Sequence, residues 1–578
     1  MKKLITLLAA TLFATGAMAQ STGATIDMSD TSPTASGTGW TLASGVYTIS
    51  NGADVTVIGN NGGSGRRILI QAGATARITL NGTTITGTTG NTAPIGLDNN
   101  TNLTLILADG TINTLSGANT EACGIQQGLA GQTNNTSILT IEGNGTLNAT
   151  GGSRWPGIGG RAAGSRTINI KSGIIIARGG GEGAGIGNGR STPANSSFIN
   201  ISGGVITATG GNYSAGIGGG DNVNSNDNGG AIVITGGIIT ANGGTGGAGI
   251  GNGRNNGWGT TLRLDGNAIV FASSITDTGT SNKLKGILFI GTTGTMYGDV
   301  TPTADFTIPG GSTLTIGSGQ TLTIDDGITL TNNGTIANSG TFTNSGTIAN
   351  SGTFTNSGTI NCSTGNISGT LGGNLANYTG ATFPTNLTAT FGQTLSEISP
   401  TGNGTSGAAQ GDFTWATPSD YVGNAGQPQH NMNLTLTHAN AANYRVVTDN
   451  VSVTVNKAAP ADTDLSFTIP TGHVYNGAAQ GIGSVTPAAG ITGLGVITVL
   501  YNGSPTPPVS AGTYTVTADI ASGSNYTAAT LPLGSYTIAS ATSSSVTSIP
   551  TLNPAGLAFL ALLLGGLSFW QRRFGTQE

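Results

Sequence analysis

The chain has 578 residues, of which 100 are glycine, about 17% against a usual ~7%. Charged residues are only 7% and the net charge is −5, which excludes a basic face for nucleic acid and, with so much Ile, Val and Thr, a charge-rich disordered chain. There is no Gly-X-Y period and only 19 prolines, so collagen is excluded, and an extended all-β protein with many tight turns remains.

At the N-terminus Lys2 and Lys3 precede an apolar run from Leu4 to Phe13, followed by Ala17-Met18-Ala19. That order reads as a secretory signal peptide over 1–19, cleaved before Gln20, and the run is too short to span a membrane.

Residues 20–300 carry a repeat. A glycine-led motif recurs as Gly96-Leu97, Gly124-Ile125, Gly157-Ile158-Gly159, Gly185-Ile186-Gly187, Gly216-Ile217-Gly218 and Gly249-Ile250-Gly251. Between copies sits an alternating pair such as Ile168/Ile170, Ile199/Ile201, Ile232/Ile234 or Leu262/Leu264, then a Gly-led strand such as Gly173-Ile174-Ile175, Gly204-Val205-Ile206 or Gly237-Ile238-Ile239. Three short strands per unit, separated by Gly and Asn turns, predict a parallel β-helix with Ile, Leu and Val stacked coil on coil. Residues 301–373 change period. Gly334-Thr335-Ile336, Gly340-Thr341-Phe342, Gly346-Thr347-Ile348, Gly352-Thr353-Phe354 and Gly358-Thr359-Ile360 step by six residues, with identity every twelve. A coil of 12 or 24 residues stacks Ile on Ile, Phe on Phe and Asn338 on Asn350; a coil of 18 stacks Ile on Phe. Like-on-like stacking favours the first. This stretch resembles the thin β-solenoid shafts of bacterial surface adhesins, and the Gly-Ile-Gly array resembles a repeat of large bacterial surface proteins.

Composition shifts near Asn374, where Tyr, Pro, Asp and His return and turn signals come at sandwich spacing. Residues 374–458, with Leu387 to Leu395, Trp415, Val422-Gly423-Asn424-Ala425-Gly426 and Val451-Ser452-Val453-Thr454-Val455, look like an Ig-like module of bacterial surface proteins. Residues 459–539, with Tyr475-Asn476-Gly477, Tyr501-Asn502-Gly503, Ala511-Gly512-Thr513-Tyr514-Thr515-Val516 and Asn525-Tyr526, resemble the MBG class of such modules. Each is long enough for seven short strands. Residues 540–548 form a Ser/Thr-rich linker.

The tail, 549–578, reads Ile549-Pro550-Thr551-Leu552, then an apolar stretch from Ala555 to Trp570, then Gln571-Arg572-Arg573. The stretch is marginal for a membrane helix, Trp570 suits the interface, and Arg572 and Arg573 would be held on the cytoplasmic side. Motif, helix and basic cluster resemble the IPTL-CTERM sorting signal, a relative of the PEP-CTERM signals of Gram-negative bacteria. The resemblance implies recognition at the inner membrane by an exosortase-type membrane enzyme, and export to the cell surface. The chain departs from the family after Leu552, having Asn553-Pro554-Ala555 where Ser, an acidic residue and Trp are common. An anchored tail would set the Ig-like pair near the membrane and the solenoid beyond it.

Candidate chemistry is sparse. His430, His438 and His473 all lie in the two modules, so the solenoid has no histidine for a Ser-His-Asp or zinc site. Cys123 and Cys362 read as buried thiols, Cys123 standing in the slot of Ala184, Ala215 and Ala248. Eight acids between Gly96 and Ala268 do not recur in register, and the loop Asp221 to Asn228 lacks the spaced acids of a calcium loop. The glycines match GxGxxG fragments but in no βαβ context. Trp155, Tyr213 and Trp258, with Arg161, Arg190 and Arg254 nearby, are candidates to stack and pair a polysaccharide along one edge; the plainer reading is that they cap that edge. The sequence therefore predicts a surface structural or adhesive protein of attachment, biofilm or exopolysaccharide matrix. No enzyme, cofactor, metal or nucleic-acid partner is expected. The alternative is a surface carbohydrate-active β-helix enzyme, a lyase or hydrolase.

Overall fold

A computed structural model describes residues 24–542 except 89, 118–120, 130, 133, 161–163, 191–196, 222–229, 255–259, 277–281 and 408–410, together with 554, 555, 558 and 561; the side chains of 428–431 are also outside it. The signal peptide, Ile549 to Leu552, Arg572 and Arg573 therefore lie outside the described residues, as do Ala17, Ala19 and Gln20. So does most of the expected tail helix; Pro554, Ala555, Ala558 and Ala561 are helical, and among the described residues no helix is long and apolar enough to cross a membrane. The rest of the described residues are all-β, with 3-10 turns at Leu395–Glu397 and Asp462–Asp464.

Each coil of the long solenoid contributes three strands, for example Arg166–Ile170, Ile174–Arg178 and Ile186–Asn188. Successive coils pair in parallel and in register: Ile168 on Ile199 on Ile232 on Leu262, and Ile175 on Ile206 on Ile239 on Val270. The third series runs Ile68, Ile95, Ile125, Ile158, Ile186, Ile217, Ile250. All of these side chains are buried, and they belong to one continuous core from Ile26 to Leu288. Alternation puts every second residue inside, and each buried Ile contributes about 1.5–3 kcal/mol, so the coils stabilise one another.

The register shifts one motif by two residues. Gly96 lies opposite Gln126, and Ile95 opposite Ile125, so Gly96-Leu97 is not the first copy of Gly124-Ile125; Pro94 fills that slot. The repeat follows the inward Ile, not the first glycine. The second glycine has its own constraint: a Cβ on Gly187 (φ +137°) would meet the Gly218 carbonyl oxygen at 2.0 Å.

At the N-terminal end one sheet is closed by an antiparallel hairpin. Trp40–Ala43 and Val46–Ile49 form an antiparallel hairpin whose second strand pairs with Arg67–Ile70, and Trp40 meets Tyr47 edge-on at 5.3 Å. The other sheet ends on Ala24–Asp27, a short strand paired in parallel with Asp54–Asn60. At the other end Asn282–Ile290 turns back antiparallel onto Thr293–Tyr297, which then leads the short solenoid by pairing in parallel with Thr313–Ile316.

From Thr329 onward the short solenoid has 18-residue coils, which corrects the expected 12 or 24; the first coil is longer, with Thr313 pairing with Thr335. Thr335 pairs with Thr353, Thr329 with Thr347 and Thr341 with Thr359, on three separate faces. Four strand residues and a two-residue Gly turn make one side, and three sides close a triangle around inward side chains. Three is odd, so the Ile/Phe alternation cannot stack like on like: Ile336 faces Phe354, and Phe342 faces Ile360. The rings of Phe342 and Phe354 meet instead across a corner, 5.4 Å apart. Asn recurs every six residues and so stacks under any of these periods. Asn332 Nδ2 donates to Asn350 Oδ1 at 2.7 Å, and Asn338 Nδ2 to Asn356 Oδ1 (not Asn350) at 2.8 Å. Cys362 takes the next Asn slot, above Asn344.

Two compact units are distinguished, and the 374–458 segment contributes to both. Residues up to 385, 400–416 and 433–451 belong to the first; 386–399, 417–432 and 452 onward to the second. In the first unit Asp412–Trp415 pairs antiparallel with Leu434 to Thr437, and residues 438–445 close the last coil. Asn443 accepts the Leu371 amide at 2.9 Å and donates to the Gly369 carbonyl at 2.8 Å, while the Tyr444 hydroxyl accepts the Ile367 amide at 3.0 Å. The His438 ring stacks on Tyr444 at 3.8 Å, and its Nδ1 accepts the Asn440 amide. These contacts satisfy backbone groups that the final coil would otherwise leave buried and unpaired.

In the second unit Ile497–Tyr501, Gly512–Ile520 and Ala529–Ala539 form an antiparallel sheet extended by His473–Val474, and Leu465–Ser466 pairs with Thr486–Pro487. That is six strands where seven were expected; Pro505, Pro507 and Pro508 have no N–H to give a further ladder. Their core is Leu465, Tyr501, Val516, Ala518, Ile520, Leu533, Tyr536 and Ile538.

Candidate functional site

The aromatic and arginine edge of the long solenoid is built by loops at 151–156, 179–184, 210–215 and 243–248. Gly180 N donates to Trp155 O, Gly211 N to Gly183 O and Gly244 N to Ser214 O, at 2.9–3.0 Å. This ladder puts Trp155 in the column of Gly183 and Ser214, and Tyr213 in the neighbouring column with Arg154 and Glu182. The two aromatics therefore do different things. Trp155 is only 9% exposed, packs with Ala93 and Cys123, and lies over Gly189, where a Cβ would come 2.1 Å from the ring. Tyr213 is 38% exposed at φ +56°, and the Arg254 guanidinium covers its ring at 3.6 Å.

The arginines are engaged as well. Arg190 Nη1 reaches Glu182 Oε2 at 3.0 Å, and Arg154 approaches the same oxygen at 3.6 Å. Arg254 grips Asp221 with Nε at 2.9 Å and Nη2 at 3.2 Å; that carboxylate is 2% exposed. The Asp221 amide in turn donates to Glu182 O at 3.0 Å. The edge thus stitches consecutive coils by alternating charge. Asp221 spends its carboxylate on Arg254, and the remainder of the loop to Asn228 lies outside the described residues, as do Arg161 and Trp258. Glu182 and Asp221 are the residues that the reading of this edge left out. Their signal was opposite charge at separations of 8 and 33 residues, the second being one coil.

An open concavity lies elsewhere, at the corner before the second strand of each coil. It is a groove of about 330 Å³ with Gly173, Gly204 and Gly237 in its floor and Ile174, Val205 and Ile238 along one wall. These three side chains occupy one outward column, in register coil on coil. Ile174 and Val205 are each 44% exposed, and the next rung, Ile269, is covered at 1%. Thr303 and Ala304 line the groove at that end; Asn144, Ser172 and Ser202 line the rest. None of the lining residues is charged. Among the described residues no three His, Cys, Asp or Glu side chains converge as metal ligands would.

Comparison with known families bears on the two C-terminal segments. Residues 547–574 match the IPTL-CTERM motif and residues 466–542 match the MBG domain. The chain carries an IPTL-CTERM tail and an MBG domain. The tail contains Ile549, Pro550, Thr551 and Leu552 as well as Arg572 and Arg573, and it indicates an exported, surface-sorted protein processed by an exosortase-type enzyme. The MBG domain covers the six strands described above. No curated protein and no solved structure matches the chain.

Proposed function

We propose that the chain is a structural and adhesive protein of a Gram-negative cell surface, serving attachment or an exopolysaccharide matrix, and not an enzyme. The IPTL-CTERM tail carries the reading. The long solenoid supports it, because one apolar core from Ile26 to Leu288 holds its coils in a stack with broad repeated faces. Export would begin with the signal peptide cut before Gln20. A helix over Ala555 to Trp570 would hold the chain transiently in the inner membrane, with Arg572 and Arg573 on the cytoplasmic side, until the exosortase-type enzyme acts.

Intact-mass measurement of protein extracted from the cell surface tests this. The expected species lacks residues 1–19 and part or all of 549–578. A surface species retaining both Met1 and Glu578 would overturn processing. Replacing Ile549 to Leu552 with alanine is expected to leave the protein in the inner-membrane fraction.

A further inference from the structure

We infer that the corner groove of the long solenoid, and not its aromatic edge, binds an extended neutral polysaccharide, with the sugar chain running along the solenoid axis. Among the described residues of the edge, Trp155 is packed inward and Arg190 and Arg254 already hold carboxylates. The groove is open, and four features select its occupant. Its lining has no charge, which leaves no partner for an acidic polymer. It is amphipathic, with Ile174, Val205 and Ile238 facing the backbone turns, a match to sugar rings that present C–H faces and hydroxyl rims and a poor match to an acyl chain.

Third, open amide donors stand at both ends. The Asn144 side chain is exposed and makes no hydrogen bond among the described residues; Asn267 uses Oδ1 to accept the Thr301 amide at 3.1 Å, and its Nδ2 donates to none of the described residues. Fourth, the groove repeats once per coil, at the ~4.8 Å strand spacing, close to the advance of one sugar in an extended chain. Successive rungs then meet successive sugars, and weak contacts add. The floor keeps its depth because Gly204 stands at φ +90° with the Gly173 carbonyl 2.7 Å from where a Cβ would be. Thr303 and Ala304 stop the groove over Ile269, so the polymer enters from the Asn144 end.

The inference rests on the surface reading only for the supply of polysaccharide. The purified full-length protein is titrated with neutral hexaoses (β-1,4-gluco, β-1,4-manno and β-1,3-gluco), with an oligogalacturonate and with phosphatidylcholine vesicles. At least one neutral hexaose is expected to bind. Ser202→Trp, which fills the groove, and Val205→Lys, which charges its wall, should each weaken binding tenfold or more. Thr207→Trp, on the same strand outside the groove, should leave it unchanged. No neutral binding, preference for the acidic oligomer or the vesicles, or equal affinity in wild type and both groove variants with unchanged circular dichroism would overturn the inference. Terminal masses and surface location are read separately, so a failed groove and a failed surface assignment are distinguishable.

Discussion

Asp221 shows how a charge placed for structure differs from one placed for chemistry. Its carboxylate is buried, and both oxygens are held by one guanidinium. Removing the partner of a buried charge costs about 3–5 kcal/mol, whereas an exposed pair is worth ~1 kcal/mol or less. Arg254→Ala is therefore expected to lower stability by about 3 kcal/mol, and Arg190→Ala by under about 1 kcal/mol, because Glu182 is part-exposed and keeps Arg154. Urea midpoints check this; equal losses would mean that Asp221 is hydrated. The thiols offer a second residue-scale test. Both are fully buried, and burial pushes Cys362 up to about 11. Neither thiol should react with a disulfide reagent at pH 8 until denaturant is added, and rapid labelling of the native chain would contradict the packing around Ala93, Trp155 and Tyr444.

Strand spacing and inward alternation were legible in the sequence, because Ile168/Ile170, Ile199/Ile201 and Ile232/Ile234 recur as pairs two residues apart, once per unit. Coil length in the short solenoid was not. A six-residue step states the length of one side and leaves open how many sides close the coil; the closure depends on packing Phe342 across a corner from Phe354, which no local pattern encodes. The Asn column gives an element-scale measurement. Asn338→Ala and Asn356→Ala should each destabilise, and the double-mutant cycle should return a coupling of about 1 kcal/mol for the side-chain bond. A cycle between Asn338 and Asn350 should return nothing. The closing segment also titrates. Burial lowers the His438 pKa below 6.5, so the folded form resists protonation, and Nδ1 must stay bare to accept the Asn440 amide. The rings that face it belong to Tyr444 and Tyr378, and phenols bring no charge in this range. The unfolded chain then binds the extra proton first. The stability contributed by His438 is complete above pH 6.5 and is lost as pH falls through the folded value. His438→Phe, which keeps the stack, should flatten that part of the stability profile; an unchanged slope would assign the dependence elsewhere.

At the scale of the whole chain, the composition shift near Asn374 marks where Tyr and His return, yet packing joins 433–451 to the solenoid and 452 onward to the MBG domain. Composition reports what a segment is made of, whereas a packing boundary depends on which backbone groups need covering, and the final coil needs Asn443 and Tyr444. The opposite end has the same requirement. A parallel solenoid ends in strands whose outer N–H and C=O groups are unpaired, a template for another chain. Here the short strand Ala24–Asp27 pairs in parallel with Asp54–Asn60, and the Trp40–Ala43 and Val46–Ile49 hairpin covers Arg67–Ile70. Those N-terminal strands also seat Ile26, Met28, Trp40 and Tyr47 over the first coil, so their removal exposes apolar core as well as open edges. A chain shortened by residues 24–49 behind the same signal peptide is expected to keep its coils, since each is held by its neighbours, and to associate through the bared end. Sedimentation velocity over a range of concentrations reads this as species that grow with concentration while the far-ultraviolet spectrum stays that of β-sheet. Restoring the hairpin should dissolve them. If the shortened chain stays a single species at every concentration and melts like the parent, the N-terminal strands are not what keeps the solenoid from extending end to end.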